Sequence, residues 1–209
     1  VKKIPTVFVR DFSKRPVLAT PEVTSGCEWV LEGEGIATRK WDGTCVLIRD
    51  GKMYARYDCK KGKTPPEGFE ACEEAPDPTT GHWPGWILVE EQPQYKWHRQ
   101  AYEWYMKKEE GLEDGTYELL GPKINGNPEH VSKPVGSTYS AMVSIALANQ
   151  HLLLKHGYGD PIQFLERSFE GIGDRLEKNP MEGIVFHHED GRMAKIKRSD
   201  FGFAWPVPR

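Results

Sequence analysis

The stretch "TCVLIRDGKMYARYD" (44–58) constrains the fold more than any other part of this sequence. Two runs rich in β-branched and aromatic residues are separated by Asp50-Gly51 alone. A two-residue Asp-Gly connection matches the twist of paired strands and marks a β-hairpin. Antiparallel pairing is therefore set early, and the other segments must be compatible with it.

"TVFVRDF" (6–12) and "ATRKW" (37–41) read as further strands. Residues 60–84 hold five prolines and read as a long surface loop, after which "GWILVE" (85–90) resumes a strand. "HRQAYEWYMKKEEG" (98–111) predicts a helix ended by Gly111, and "GTYELLGP" (115–122) another strand. Residues 138–156 stay open between helix and strand. Asp160-Pro161 predicts the start of a helix over 162–179, with Gly171 and Gly173 as candidate breaks. The C-terminal part reads as "EGIVFHH" (182–188), a turn at Glu189-Asp190-Gly191, and "RMAKIKR" (192–198). Strands with helices between them, but without regular βαβ alternation and without repeats, predict an α+β fold built on antiparallel sheets.

At 209 residues, 38% hydrophobic and 28% charged, the chain fits a single domain over 1–209 with a sizeable core. No apolar run approaches the length of a membrane span, and "VKKIPTVFVRDF" lacks the apolar centre of a secretory signal. The four cysteines show no C-x-x-C spacing, which points away from a zinc knuckle or disulfide framework and towards a reduced, intracellular, cytoplasmic setting. The net charge of -3 is unevenly spread: residues 1–63 carry 13 Lys/Arg against 8 Asp/Glu, and residues 64–118 carry 4 against 13. The basic first third suits either a phosphate backbone or an ordinary solvated surface.

Four constellations carry candidate chemistry. In Arg39-Lys40-Trp41-Asp42-Gly43, Lys40 lies beside a second cation and just before a glycine turn. It is either a solvated surface lysine or a nucleophile, which attacks only as the free amine. Gly43 allows the backbone to turn tightly against a flat ligand. Arg56, on the second strand of the hairpin, is expected to return towards Lys40 within one sheet, to meet either a ribose or phosphate or an acidic neighbour. Glu118 sits in an apolar strand and needs a partner, either a structural cation or a ligand. Glu182-Gly183-Ile184-Val185 precedes Lys195-Ile196-Lys197, whose alternation places both lysines on one strand face. Such a pair either awaits an anion or guards an edge strand. The seven histidines show no metal-site spacing. The aromatic group Trp83, Trp86, Tyr95, Trp97, Tyr102, Trp104 and Tyr105 either packs or stacks bases. There is no P-loop and no G-x-G-x-x-G.

Taken in order, these pieces resemble the covalent nucleotidyltransferase superfamily of polynucleotide ligases and capping enzymes. Lys40-Trp41-Asp42-Gly43 resembles its lysine motif, Arg56 the arginine on the next strand, and Glu118-Leu119-Leu120-Gly121-Pro122 the third motif as RNA ligases carry it. Glu182-Gly183-Ile184-Val185 and Lys195-Ile196-Lys197 resemble the fourth and fifth. "YARYDCKKGK", "GHWPGWILVEEQPQYKWH", "YELLGPKINGNP", "EGIVFHHEDGRMAKIKR" and "FGFAWP" are similar to the small ATP-dependent 5′-to-3′ RNA ligase family that has an animal member.

The resemblance implies a nucleotidyltransferase (adenylylation) domain and an ATP-dependent RNA ligase. Lys40 would take AMP from ATP, Asp42 would help hold the lysine loop, and Arg56 and Glu118 would grip the ribose. Glu182 would bind a divalent metal (Mg²⁺ or Mn²⁺), and Lys195 and Lys197 would contact the α-phosphate. Arg39 and Gly43 complete the nucleotide contacts. The AMP would pass to a 5′-phosphate of RNA and be displaced by a 3′-hydroxyl. Residues 198–209 after Lys197 leave no room for an OB-fold appendage, so none is expected. RNA would be gripped in part by Lys2, Lys3, Arg10, Lys14 and Arg15 and by the loop Lys60–Lys63, with the protein acting as a monomer. The competing readings are a ligase for nicked DNA or hybrid duplexes, and a nucleotide- or RNA-binding module without turnover.

Overall fold

The computed structural model describes residues 3–78, 80–90, 92–106, 113–130, 162 and 165–206. The segment 138–156, left open above, lies outside them, as does the expected end of the second helix at Gly111. Cα packing divides the chain into two compact units, Val1–Lys3 with Gly43–Gly157, and Ile4–Asp42 with Tyr158–Arg209.

The unit beginning at Gly43 is organised by the Asp-Gly hairpin. Strands β4 (Thr44–Arg49) and β5 (Lys52–Cys59) pair antiparallel, with Arg49 opposite Lys52. Asp50 and Gly51 take φ of 51° and 64°, the left-handed pair that this turn requires. β6 (Glu70–Ala71), β7 (Trp83–Leu88) and β8 (Gly115–Leu119) complete a five-stranded antiparallel sheet in the order β6-β7-β5-β4-β8. The loop expected over 60–84 is thus interrupted: Glu70 and Ala71 pair with Trp86 and Gly85, so β7 starts at Trp83. Helix α2 (Lys96–Met106) covers a core of Val46, Ile48, Met53, Ala55, Val89, Ala101, Tyr117, Leu119 and Ile124. Tyr95, Trp97 and Tyr102 pack on that core, and Trp86 is buried, which favours packing over base stacking for these four.

The other unit holds two sheets. β1 (Phe8–Asp11) and β2 (Leu18–Val23) form a two-stranded ribbon. β3 (Ile36–Lys40), β9 (Gly183–His187) and β10 (Met193–Lys197) form a three-stranded antiparallel sheet with β9 in the centre. Helices α1 (Glu28–Leu31) and α3 (Phe169–Lys178) border a core that includes Phe8, Trp29, Ile172, Leu176, Ile184, Phe186 and Ile196. β2 and α1 had no periodic signature; "LATPEV" is short and carries a proline.

Two expectations are corrected. Lys40 and Arg56 do not share a sheet: β3 pairs with β9, whereas β5 pairs with β4 and β7. The chain changes sheets at Trp41–Gly43, so β3 and β4 are not one continuous strand. The helix expected from Asp160-Pro161 begins only after Ser168, whose Oγ accepts the Gly171 N–H at 3.0 Å. Upstream, the Ile162 N–H is taken by Ala37 O at 2.8 Å, so that residue pairs with β3 instead of starting a helix. Gly171 and Gly173 lie inside α3, because close neighbours use the missing side chains. A Cβ on Gly171 would fall 2.7 Å from the Glu166 side chain, and one on Gly173 would fall 3.1 Å from Phe201. Among the described residues no helix is long and apolar enough to cross a membrane.

Candidate functional site

The three-stranded sheet assembles one group of candidate residues by register alone. Lys40 at the end of β3 and Lys197 at the end of β10 both lie opposite Gly183, the first residue of β9. Directly opposed residues in antiparallel strands present side chains to the same face, so the two lysines flank a position that has no side chain. Gly183 cannot be replaced without movement, since a Cβ there would stand 2.0 Å from Ile196 O. Lys195, opposite Val185, shares the half-buried face of Lys197, while Ala194 and Ile196 point into the core. The alternation read from "KIK" is therefore realised.

Glu182, the residue before β9, is 6% exposed and accepts from both lysines. Its Oε2 takes the Lys40 ammonium, and its Oε1 lies 3.2 Å from Lys197 Nζ. Burying a carboxylate is tolerable when it is paired and hydrogen-bonded, and here two cations share the task. On the same face, further along β3, Thr38 is fully buried; its Oγ1 donates to Val185 O at 3.1 Å and lies 3.2 Å from His187 Nε2. Lys197 is itself fixed: its backbone N–H donates to Asp200 Oδ2 at 3.1 Å.

Arg39 is not on the Lys40 face. Adjacent strand residues point to opposite sides, and its guanidinium lies 4.0 Å from the centroid of the Trp41 ring. Asp42 accepts the indole N–H of Trp205 at 2.7 Å. Trp205 and Asp200 were not singled out from the residues; they meet their partners through folding, and 163 positions separate Trp205 from Asp42.

The five-stranded unit assembles the second group. Glu118 on β8 lies opposite Cys45 on β4, and its Oε1 accepts the Gly43 N–H at 2.9 Å. A Cβ on Gly43 would stand 2.1 Å from Leu119 O, so only glycine brings that amide so close to β8. On β5, Arg56 donates to Cys72 Sγ at 3.1 Å, and its guanidinium lies 5.1 Å from the Trp86 ring centroid. Burial, and then the Glu118 carboxylate, push the Cys45 thiol up to about 12, with the positive charge of Arg56 opposing them. Glu118, Cys45 and Arg56 thus share one electrostatic neighbourhood.

For a metal, Glu182 is the carboxylate on the lysine face, and among the described residues no group of three or more His, Cys, Asp or Glu could hold an ion. A lone carboxylate suits magnesium, which keeps several waters and takes its other ligands from phosphates, and does not suit an all-protein cage. Three of the described histidines bond within the fold, His82 with Asp58, His187 with Thr38, and His188 with Glu34 and Asp190, whereas both ring nitrogens of His98 are buried without a hydrogen-bond partner among the described residues.

A protein-family model described as RNA ligase 1 matches residues 64–209. That span includes Glu118, Glu182, Lys195 and Lys197; the pairwise relatives extend the likeness across the lysine motif. RNA ligase 1 of Pongo abelii is 26% identical over 288 residues, covering 99% of this chain and 82% of the relative. RNA ligase 1 of Mus musculus is 27% identical over 282 residues, with the same two shares. RNA ligase 1 of Danio rerio is 28% identical over 261 residues, covering 95% of this chain and 77% of the relative. The matched spans exceed the 209 residues present here, so these relatives carry internal residues that this chain lacks. With a family model matched over well more than half its length, the chain belongs to the RNA ligase 1 family.

Proposed function

We propose that this protein is an ATP-dependent RNA ligase whose residues 1–209 act as one adenylylation domain and whose nucleophile is Lys40. The observation that carries this reading is the convergence of Lys40 and Lys197 on one buried carboxylate, Glu182, on a strand face that also presents Lys195.

The chemistry follows from what these groups can do. The Lys40 ammonium leaves Glu182 and gives its proton to water, and the free amine attacks the α-phosphorus of ATP; a P–N bond forms, the bond to the bridging β-phosphate oxygen breaks, and pyrophosphate departs. Lys195 and Lys197 place positive charge where charge spreads over the phosphoryl oxygens. Arg56 and Glu118 hold the ribose, Gly43 adds a nucleotide contact, and Asp42 sets the lysine loop. Glu182 would contribute one ligand to a magnesium ion, which when bound supplies further positive charge to the phosphates. An oxygen of the RNA 5′-phosphate then attacks the phosphorus on Lys40, restoring the amine and leaving AMP on the RNA end. Finally a 3′-hydroxyl attacks the RNA phosphorus, forming the phosphodiester and releasing AMP.

Labelled ATP and magnesium, followed by denaturing electrophoresis and intact mass, test the first step. One AMP per chain is expected, and none with Lys40→Ala. An adduct that survives Lys40→Ala overturns the assignment of the nucleophile. Parallel joining assays with RNA and DNA ends separate an RNA ligase from a ligase for nicked DNA.

A further inference from the structure

The tip of the β1–β2 ribbon carries a feature that the adenylylation chemistry does not use. Phe12 follows β1 directly and is 67% exposed, the most exposed of the large apolar side chains among the described residues. Its neighbours in the connection, Ser13, Lys14 and Arg15, are polar and exposed, while the apolar residues near it are Pro16, also exposed, and Leu18, which lies opposite Asp11 and is 37% exposed.

Three cations share the tip with it. The Arg10 guanidinium lies 5.4 Å from the Phe12 ring centroid and ion-pairs with Asp200 at 3.3 Å. Asp200 is 2% exposed and also accepts the Lys197 N–H, so the cation beside the ring is anchored to the strand end that bears Lys197. Arg15 donates to the carbonyls of Phe12 and Lys14 at 3.3 and 3.2 Å, which folds its guanidinium back onto the tip. Lys14 is 80% exposed and has only the loose company of Asp11, at 3.5 Å. Of the other cations expected to grip RNA, Lys3 is paired with Asp77 at 3.0 Å in the other unit.

A solvent-facing ring with one cation beside it and two more in the same connection is the chemistry that binds an unpaired nucleobase by stacking and its phosphates by charge. We propose that Phe12 stacks on a base of the single-stranded RNA end, while Lys14 and Arg15 take adjacent phosphates. This rests on the RNA-ligase reading above, and it names a contact for the RNA, not for ATP.

The test is fluorescence anisotropy of a 5′-phosphorylated single-stranded oligoribonucleotide with the full chain, without ATP, at several salt concentrations. Phe12→Ala should weaken binding about five- to a hundredfold with the salt slope unchanged, and Phe12→Trp should restore it. Lys14→Glu with Arg15→Glu should weaken binding and flatten the salt slope. Self-adenylylation, which needs no RNA, should stay within about twofold in all three variants. Binding unaltered by Phe12→Ala, or a loss that Phe12→Trp does not rescue, overturns the proposal. So does a wild-type dimer that Phe12→Ala dissociates, since the ring would then be a contact between copies. Loss of the ligase reading appears separately, as an absent AMP adduct in the wild type.

Discussion

Glu118 and Glu182 are both carboxylates set among antiparallel strands, yet they are held differently. Glu118 accepts a backbone N–H, that of Gly43. Glu182 accepts from the side-chain ends of Lys40 and Lys197. A backbone amide cannot leave without shifting its strand, whereas a lysine ammonium sits on a flexible four-carbon stem and can swing away. Glu118 is therefore a fixed brace, and Glu182 an anchor whose partners can exchange. In the proposed mechanism Lys40 moves between a carboxylate and a phosphorus atom, which calls for the second kind. The same contrast divides the dipeptide at which the chain changes sheets: Asp42 is held by the Trp205 indole, and Gly43 by the Glu118 carboxylate.

The largest effect that can break this comparison is expected from charge removal at constant shape. Glu182→Gln deletes the charge shared by two lysines, which in the proposed mechanism would also face the metal, and self-adenylylation should fall about a hundred- to a thousandfold. Glu118→Gln keeps an oxygen for the Gly43 N–H, so the loss should be nearer tenfold, the worth of one charge-assisted hydrogen bond. The measurement is the rate of labelled AMP uptake at saturating ATP, with thermal melting as a control for folding. Equal losses would mean that both carboxylates act in the same way.

Much of this could be read before folding was known. Asp50-Gly51 gave β4 and β5, the turn at Glu189-Asp190-Gly191 gave β9 and β10, and the alternation in Lys195-Ile196-Lys197 gave the lysine face of β10, because turn chemistry and period-two burial are local. The α+β class followed. Pairing between distant segments was not legible. Arg56 was expected in the sheet of Lys40, but nothing near Trp41–Gly43 announces a change of sheet; the glycine's approach to Leu119 O, 76 positions away, is visible only in three dimensions. The same holds for Trp205 on Asp42 and for the start of α3, where a better cap at Ser168 wins over Asp160-Pro161.

A smaller effect sharpens the contrast at the dipeptide. Trp205→Phe keeps the ring but removes the N–H donated to Asp42. Losing a hydrogen bond to a charged acceptor should slow self-adenylylation about tenfold. Because Trp205 acts through Asp42, the loss should fall on kcat with KM for ATP unchanged, and Trp205→Phe should add little to Asp42→Asn. A raised KM would place Trp205 against the nucleotide instead.

The smallest expected effect separates the two units by pH. In the five-stranded unit, burial holds the His98 imidazole down to about 4, and its ring meets Tyr95 edge-on at 5.2 Å. An unfolded histidine near 6.5 takes up a proton that the folded one refuses, so this unit loses stability as pH falls from about 6.5 to about 4. In the other unit the lowered groups are carboxylates, as Asp77 is in the five-stranded unit, so their loss on acidification comes at lower pH than that of His98. Asp190 is held below the ordinary carboxylate range, chiefly by the Arg192 N–H, and Asp11 by Ser13, so their contribution persists until pH falls below the usual carboxylate value. Hydrogen exchange at pH 5 should therefore rise in β4 and β5 before it rises in β9 and β10. His98→Phe keeps an aromatic partner for Tyr95 and removes the titrating group, so the acid limb in β4 and β5 should shrink while that of β9 and β10 stays as it is. If both pairs of strands respond alike, the acid sensitivity does not originate at His98, and the two units do not differ in how they meet a proton.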